Sequence, residues 1–174
     1  CIKFFLNFIE GFLWQQLYGV ESYHPEYIGK VIENADGSLI VASNDALTFG
    51  ANNMYLIKTD ANGNLLWEQH YNQATSLATD IAKTTDGGYI IAGVKNYNNT
   101  PKIVLLKTDA NGIQEWVKEY NGDGSGSWKA YSVRQTTDGG YIVGGAKVTS
   151  FYSRENMYLI KTDELGEIYS NTLQ

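Results

Sequence analysis

Short apolar runs alternate with polar turns along the whole chain. In the middle of the sequence the runs are Ala78–Thr84, Tyr89–Val94, Ile103–Thr108 and Gln114–Tyr120. Their lengths suit β-strands and fall short of a stable helix. Thr85-Asp86-Gly87-Gly88 separates the first two, and Asp109-Ala110-Asn111-Gly112 separates the last two. Both are hairpin chemistry: the Asp carboxylate accepts hydrogen bonds from the turn backbone, and Gly or Asn takes the positive φ that a tight turn needs. No segment sustains a helical period. The pattern predicts four antiparallel strands joined by tight turns.

The same pattern recurs. Thr85-Asp86-Gly87-Gly88-Tyr89-Ile90-Ile91-Ala92-Gly93 returns as Thr137-Asp138-Gly139-Gly140-Tyr141-Ile142-Val143-Gly144-Gly145, and more loosely as Ala35-Asp36-Gly37-Ser38-Leu39-Ile40-Val41-Ala42-Ser43. Met54-Tyr55-Leu56-Ile57-Lys58-Thr59-Asp60 returns at Ile103–Asp109 and at Met157–Asp163. Trp67 and Trp116 are each followed four residues later by a tyrosine, Tyr71 and Tyr120, and Trp14 with Tyr18 forms the same pair. Repeats of about fifty residues with four strands each are the mark of β-propeller blades. The expected fold is all-β: a β-propeller segment of three four-stranded blades, with twelve or thirteen strands. The expected units are 1–18, ending in the outer strand of a preceding blade at about Phe12–Tyr18, then blades at 19–71, 72–120 and 121–174. Trp14, Trp67 and Trp116 read as cement between the outer strands of neighbouring blades, where a buried aromatic contributes about 1.5–3 kcal/mol. In the third unit Glu167-Ile168-Tyr169-Ser170 stands in their place, and Ile168–Leu173 is the candidate for its last strand.

Composition narrows the partners. Of 174 residues 43% are hydrophobic and 18% charged, so the chain has the makings of a packed core. The formal net charge is -6, and Arg134 and Arg154 are its two arginines, which argues against nucleic acid. Cys1 is the single cysteine, so neither an internal disulfide nor a Cys-rich metal site is expected. Ile2–Ile9 is too short to span a bilayer. Cys1 permits the lipid-modified terminus of a bacterial lipoprotein; an arbitrary fragment boundary is the favoured reading.

The run Asp60-Ala61-Asn62-Gly63-Asn64-Leu65-Leu66-Trp67, repeated as Asp109–Trp116, resembles the tryptophan-docking motif of quinoprotein (PQQ-like) propellers. From about Phe12 onward the chain also resembles the repeats of secreted or surface propeller proteins of bacteria and archaea. There a Thr-Asp-Gly-Gly-Tyr-Ile-Ile-Ala-Gly run alternates with Leu-Ile-Lys-Thr-Asp-x-x-Gly. These resemblances imply a propeller fold and an extracellular or cell-surface location. They imply no particular activity.

Catalytic chemistry is thinly represented. Quinoprotein dehydrogenases need a quinone, a calcium and in many members a vicinal cysteine pair, and three blades do not enclose a cofactor; none is expected here. A sialidase grips its carboxylate substrate with three arginines. A glycoside hydrolase needs two carboxylates facing a cleft, yet Asp36, Asp86, Asp138, Asp60, Asp109 and Asp163 all occupy repeated turn positions. Asp45, Asp80 and Asp123 are left over, in no diagnostic pattern. Asp60, Asn62 and Asn64 loosely resemble the start of a calcium loop, but the later copies lose the ligand series, and a turn is the stronger reading. His24 and His70 lie in different segments with no third ligand in sequence.

What varies between units is the second-to-third-strand loops, Asn44–Asn53, Lys95–Lys102 and Lys147–Asn156, and the loops between blades. Strand alternation puts them on the face opposite the tight turns. Tyr23, His24, Tyr97, Asn98, Trp128, Phe151, Tyr152 and Arg154 are the candidate ligand-binding residues there, since aromatics with Asn and Arg on loops suit protein or carbohydrate contact. Trp128 follows a glycine-rich stretch that is expected to leave it free. The sequence thus leans away from an enzyme, towards a binding or scaffolding segment of a secreted or surface protein. The alternative is a partial or non-catalytic portion of a propeller enzyme of hydrolase or quinoprotein type. Three blades also leave two end faces open, so the expected further partners are missing blades of the same propeller or, as a second option, another copy of the chain.

Overall fold

The computed structural model describes residues 14–18, 27–48, 51–71, 76–97, 100–120, 126–148 and 155–168. Among them every regular element is a strand, and no helix is long and apolar enough to cross a membrane. The strands are β1 (Tyr27–Glu33), β2 (Leu39–Thr48), β3 (Ala51–Thr59), β4 (Leu65–Tyr71), β5 (Ser76–Lys83), β6 (Tyr89–Tyr97), β7 (Thr100–Thr108), β8 (Gln114–Tyr120), β9 (Ser127–Gln135), β10 (Tyr141–Val148) and β11 (Asn156–Thr162). They form three antiparallel meanders, β1-β2-β3-β4, β5-β6-β7-β8 and β9-β10-β11. These are the blades of a propeller segment.

The expected twelve or thirteen strands are eleven among the described residues. Trp14–Tyr18 is described but is not in a strand, and Ile168 is likewise outside one. Most of the expected last strand, 169–173, lies outside the described residues. Two expected loops are largely strand. The β6–β7 hairpin runs on through Lys95↔Lys102, Asn96↔Pro101 and Tyr97↔Thr100, and β2 reaches Thr48 before β3 starts at Ala51. These arms carry mostly polar residues, so they lack the apolar pattern of a packed strand, while backbone pairing alone continues the ladder.

Packing explains why the middle runs are apolar at every position rather than at alternate ones. A strand covered on both faces needs apolar residues on both. Along β6, Tyr89 and Ile91 face the first sheet while Ile90 and Ala92 face the third. Along β7, Val104 and Leu106 face the first while Ile103 and Leu105 face the third. Each of these eight side chains is at most 1% exposed. The two interfaces are therefore two separate cores on either side of one sheet.

The inner strands hold the blades in sequence. β5 packs against β1, β2 and β3, and β9 against β5, β6 and β7. Each inner strand carries a register shift at the equivalent place: between Ile28 and Lys30, between Ala78 and Asp80, and opposite Gly144/Gly145 in β9. A bulge there sharpens the twist of a strand that must turn beside its neighbours.

Candidate binding face and the residues committed to the scaffold

The recurring aspartates are turn residues. In the first-to-second turns, Asp36, Asp86 and Asp138 accept from the backbone N–H two residues on, at Ser38 (3.0 Å), Gly88 (2.9 Å) and Gly140 (3.1 Å). Thr84 and Thr136 donate their hydroxyls to the same carboxylates. In the third-to-fourth turns, Asp60, Asp109 and Asp163 each accept two backbone N–H groups, from the second and fourth residues on. Asp60 also takes the Asn64 side-chain amide at 2.8 Å. Asn64 therefore donates to Asp60 rather than standing beside it as a second oxygen ligand. This is the turn assignment for Asp60, Asn62 and Asn64.

The recurring lysine follows from the recurring Asp. Lys107 Nζ is sealed in with its side chain 3% exposed, 2.7 Å from Asp86 and 2.7 Å from Glu115, and it donates to the Thr108 carbonyl. Lys161 makes the same contacts with Asp138 and the Thr162 carbonyl. Burial pulls the Lys107 ammonium down, but the two carboxylates outweigh it and hold the group above its ordinary value. Partial burial pushes the Asp86 carboxyl up, and the bonds from Lys107, Thr84 and Gly88 outweigh that, bringing it to about 2. Gly88 and Gly140 have the reason of close approach. A Cβ on either would lie within 2.1 Å of the Thr108 or Thr162 carbonyl oxygen, so the second glycine of Asp-Gly-Gly leaves room for the neighbouring strand.

The tryptophans act between sheets. Trp67, Gln69 and Tyr71 lie on one side of β4 at alternate positions and straddle Gly112, in the third-to-fourth turn of the next sheet. A Cβ on Gly112 would meet two ring carbons of Trp67 at 2.8 Å and Gln69 Cγ at 3.0 Å, and Tyr71 donates its hydroxyl to the Gly112 carbonyl at 2.5 Å. Trp116, Lys118 and Tyr120 of β8 clasp Gly166 in the same way, with the Tyr120 bond at 2.7 Å. Trp14, Gln16 and Tyr18 clasp Gly63, with Trp14 Nε1 donating to the Ala61 carbonyl at 3.0 Å. Burial, with the nearby Asp109 carboxylate adding to it, raises the Tyr71 phenol well above its ordinary value, so it stays a donor throughout the working range.

Asp80, one of the three aspartates outside the turns, is also committed. It is buried on β5 and accepts from the Val133 N–H (3.0 Å) and from Arg134 (2.6 Å) of β9, fixing one inner strand to the next. His70 is on β4 and stacks on Tyr55, ring centroids 4.3 Å apart.

Of the candidate ligand-binding residues, Tyr23, His24, Asn98, Phe151, Tyr152 and Arg154 lie outside the described residues. Tyr97 ends β6, paired with Thr100. Trp128 is placed differently from the expectation. It is a strand residue of β9, 3% exposed, set edge-on to Tyr158 at 4.6 Å, with Lys147 Nζ 4.9 Å from its ring centre. The glycine-rich stretch ends at Gly126, and strand alternation carries Trp128 and Ala130 into the core between the second and third sheets. Trp128 is therefore a packing residue. The signal was present in the sequence as the spacing of Trp128 and Ala130, two apart on one face.

The described edge on the variable-loop side is laced with ion pairs. Glu119 joins Lys95 (2.6 Å) and Lys102 (3.4 Å), and Glu155 joins Lys129 and the Tyr131 hydroxyl. Among the described residues no three His, Cys, Asp or Glu side chains converge as a metal set. No family model and no curated protein matches the chain.

Proposed function

We propose that this chain is a non-enzymatic binding or scaffolding segment of a secreted or cell-surface propeller protein, and that its ligand is a protein or a carbohydrate taken up on the variable-loop face. One observation carries the reading: the polar residues that repeat are spent on the scaffold. The six turn aspartates hold backbone amides, Lys107 and Lys161 neutralise two of them, Asp86 and Asp138, and Asp80 with Arg134 ties two sheets together. A reaction would need groups released from such duties, whereas a rigid scaffold with unlike loops at one edge suits recognition. The location rests on the resemblance of Thr85–Gly93 and Thr137–Gly145 to the repeats of surface propellers. The clasp of Trp67 on Gly112 is in keeping with the tryptophan-docked, PQQ-like type of blade.

Glycan-array screening and pull-down from cell-surface extracts test the proposal, using the chain and a Tyr152→Ala/Arg154→Ala variant. The expected result is a ligand that the variant binds at least about tenfold more weakly at an unchanged melting temperature, a loss of about 1.4 kcal/mol. Equal binding by the variant, or turnover of a glycan in place of retention, would refute it.

A further inference from the structure

We propose that the variable-loop end of the second and third sheets binds an acidic polysaccharide, a sugar chain with recurring carboxylates or sulfates, through Lys95, Lys102, Lys129 and Lys147. The inference rests on the proposed role of that face in recognition and gives its ligand a chemical class.

Charge is spread unevenly along the strands. The formal net charge is -6. The tight-turn end holds the six turn aspartates, with Glu115, Glu164 and Glu167 beside them. Among the described residues of the second and third sheets, the opposite end holds Lys95, Lys102, Lys129 and Lys147 against the carboxylates of Glu119 and Glu155. A polyanion is repelled by the acidic end and drawn to the basic one.

The lysines keep register. Lys95 of β6 and Lys147 of β10 hold equivalent places, each two residues beyond a glycine, Gly93 or Gly145, that pairs with an inner-strand alanine. The first sheet has Asp45 there. Lys95 also stands directly opposite Lys102 in the β6–β7 ladder. Like charges so paired are destabilising. Glu119 bridges both, at 2.6 and 3.4 Å, and the bond from Lys95 holds its carboxyl below the ordinary value. One carboxylate thus serves two ammonium groups, and a positive charge is left over where the scaffold gains nothing from it.

The third sheet adds rings. Lys147 Nζ lies 4.9 Å over the Trp128 ring, which orients it. Lys129 pairs with Glu155, which also accepts from the Tyr131 hydroxyl, and Tyr131 is 53% exposed. An exposed aromatic beside a cation offers a sugar both an apolar face and a counter-charge. Lysine suits anionic groups that recur along a chain, because an ammonium makes point contacts without a fixed fork. Charges on two adjacent sheets with a ring beside them fit an extended anionic sugar chain better than one small anion.

Biolayer interferometry of the whole chain against immobilised polygalacturonate, dextran sulfate, neutral dextran and poly-glutamate tests this. The expected result is binding to polygalacturonate or dextran sulfate that weakens in raised salt, with none to dextran. Lys95→Gln/Lys147→Gln binds at least about tenfold more weakly. Lys30→Gln/Lys83→Gln removes the same charge from exposed inner-strand positions and binds as the wild type does. Glu119→Gln releases both lysines and binds about two to five times more tightly, a gain that misfolding does not produce. Tyr131→Ala weakens binding to the polysaccharide. Absence of binding to both anionic polysaccharides, equal binding to dextran, or an equal loss in the Lys30/Lys83 variant overturns the inference. So does poly-glutamate bound as tightly as the polysaccharide, which would assign the face to acidic protein segments. A neutral glycan or a protein retained through Tyr152 and Arg154, without polyanion binding, would remove this assignment alone and leave the recognition face standing.

Discussion

Glycine is required at Gly112 for two separate reasons. Its φ of 76° lies in the left-handed region, and the Trp67 ring and Gln69 stem occupy the space a side chain would take. Gly112→Ala therefore costs the strain of φ, about 1 kcal/mol, and also pushes the clasp apart, for a total of about 2–4 kcal/mol by urea denaturation. A loss below about 1 kcal/mol would mean that the turn relaxes without the clasp. The carboxylate at Asp86 gives a second residue-scale expectation. Its folded value of about 2 is below that of a free aspartate, so the stability it contributes is present above about pH 4 and is lost as pH falls through 2. Asp86 is more than half exposed, so the effect is small. The melting temperature of Asp86→Asn is lower than wild type at pH 7, and the gap narrows between pH 4 and pH 2. A gap independent of pH would assign Asp86 a role in turn geometry alone.

At the scale of the strand, a three-residue clasp at alternate positions explains a spacing that an isolated tryptophan does not. Trp67, Gln69 and Tyr71 act together because residues two apart share a face. Trp67 is half-buried, so Trp67→Ala is expected to cost about 2–3 kcal/mol, at or below the lower end of the range for fully buried aromatics. Tyr71→Phe isolates the hydroxyl bond to Gly112 and costs about 1 kcal/mol. Both are read from denaturant midpoints, and additivity of the two would show that ring and hydroxyl act independently. Most of this element was legible in the sequence, since the Trp–Tyr pair recurs beside the Asp-x-x-Gly turn. Trp128 was not, because its preceding glycines masked a strand start, and the β6–β7 arms were not, because paired polar backbone leaves no apolar period to read.

At the scale of the molecule, the repeat made the blades and their turns legible, while the proposed binding face is tied to residues that do not recur and so have no internal copy to align. The same repeat makes the sheets unequal in stability despite similar sequences. The second sheet is covered on both faces, with Ile90, Ile91, Val104, Leu105 and Leu106 all at most 1% exposed. Among the described residues the third is covered on one, and Met157 and Leu159 of β11 are exposed. Loss of a repeat unit at an end removes one interface, whereas opening the middle removes two. Amide exchange on the chain is therefore expected to be slowest at β6 and β7, and faster at β11 by the stability of one interface. Leu105→Ala lowers the exchange free energy of both the second and third sheets by about 2–5 kcal/mol, because the side chain sits in the core they share. Leu159→Ala leaves both within about 0.5 kcal/mol, since Leu159 is 63% exposed. Equal protection of β7 and β11 would show that the three sheets open as one cooperative unit rather than in order from the uncovered end.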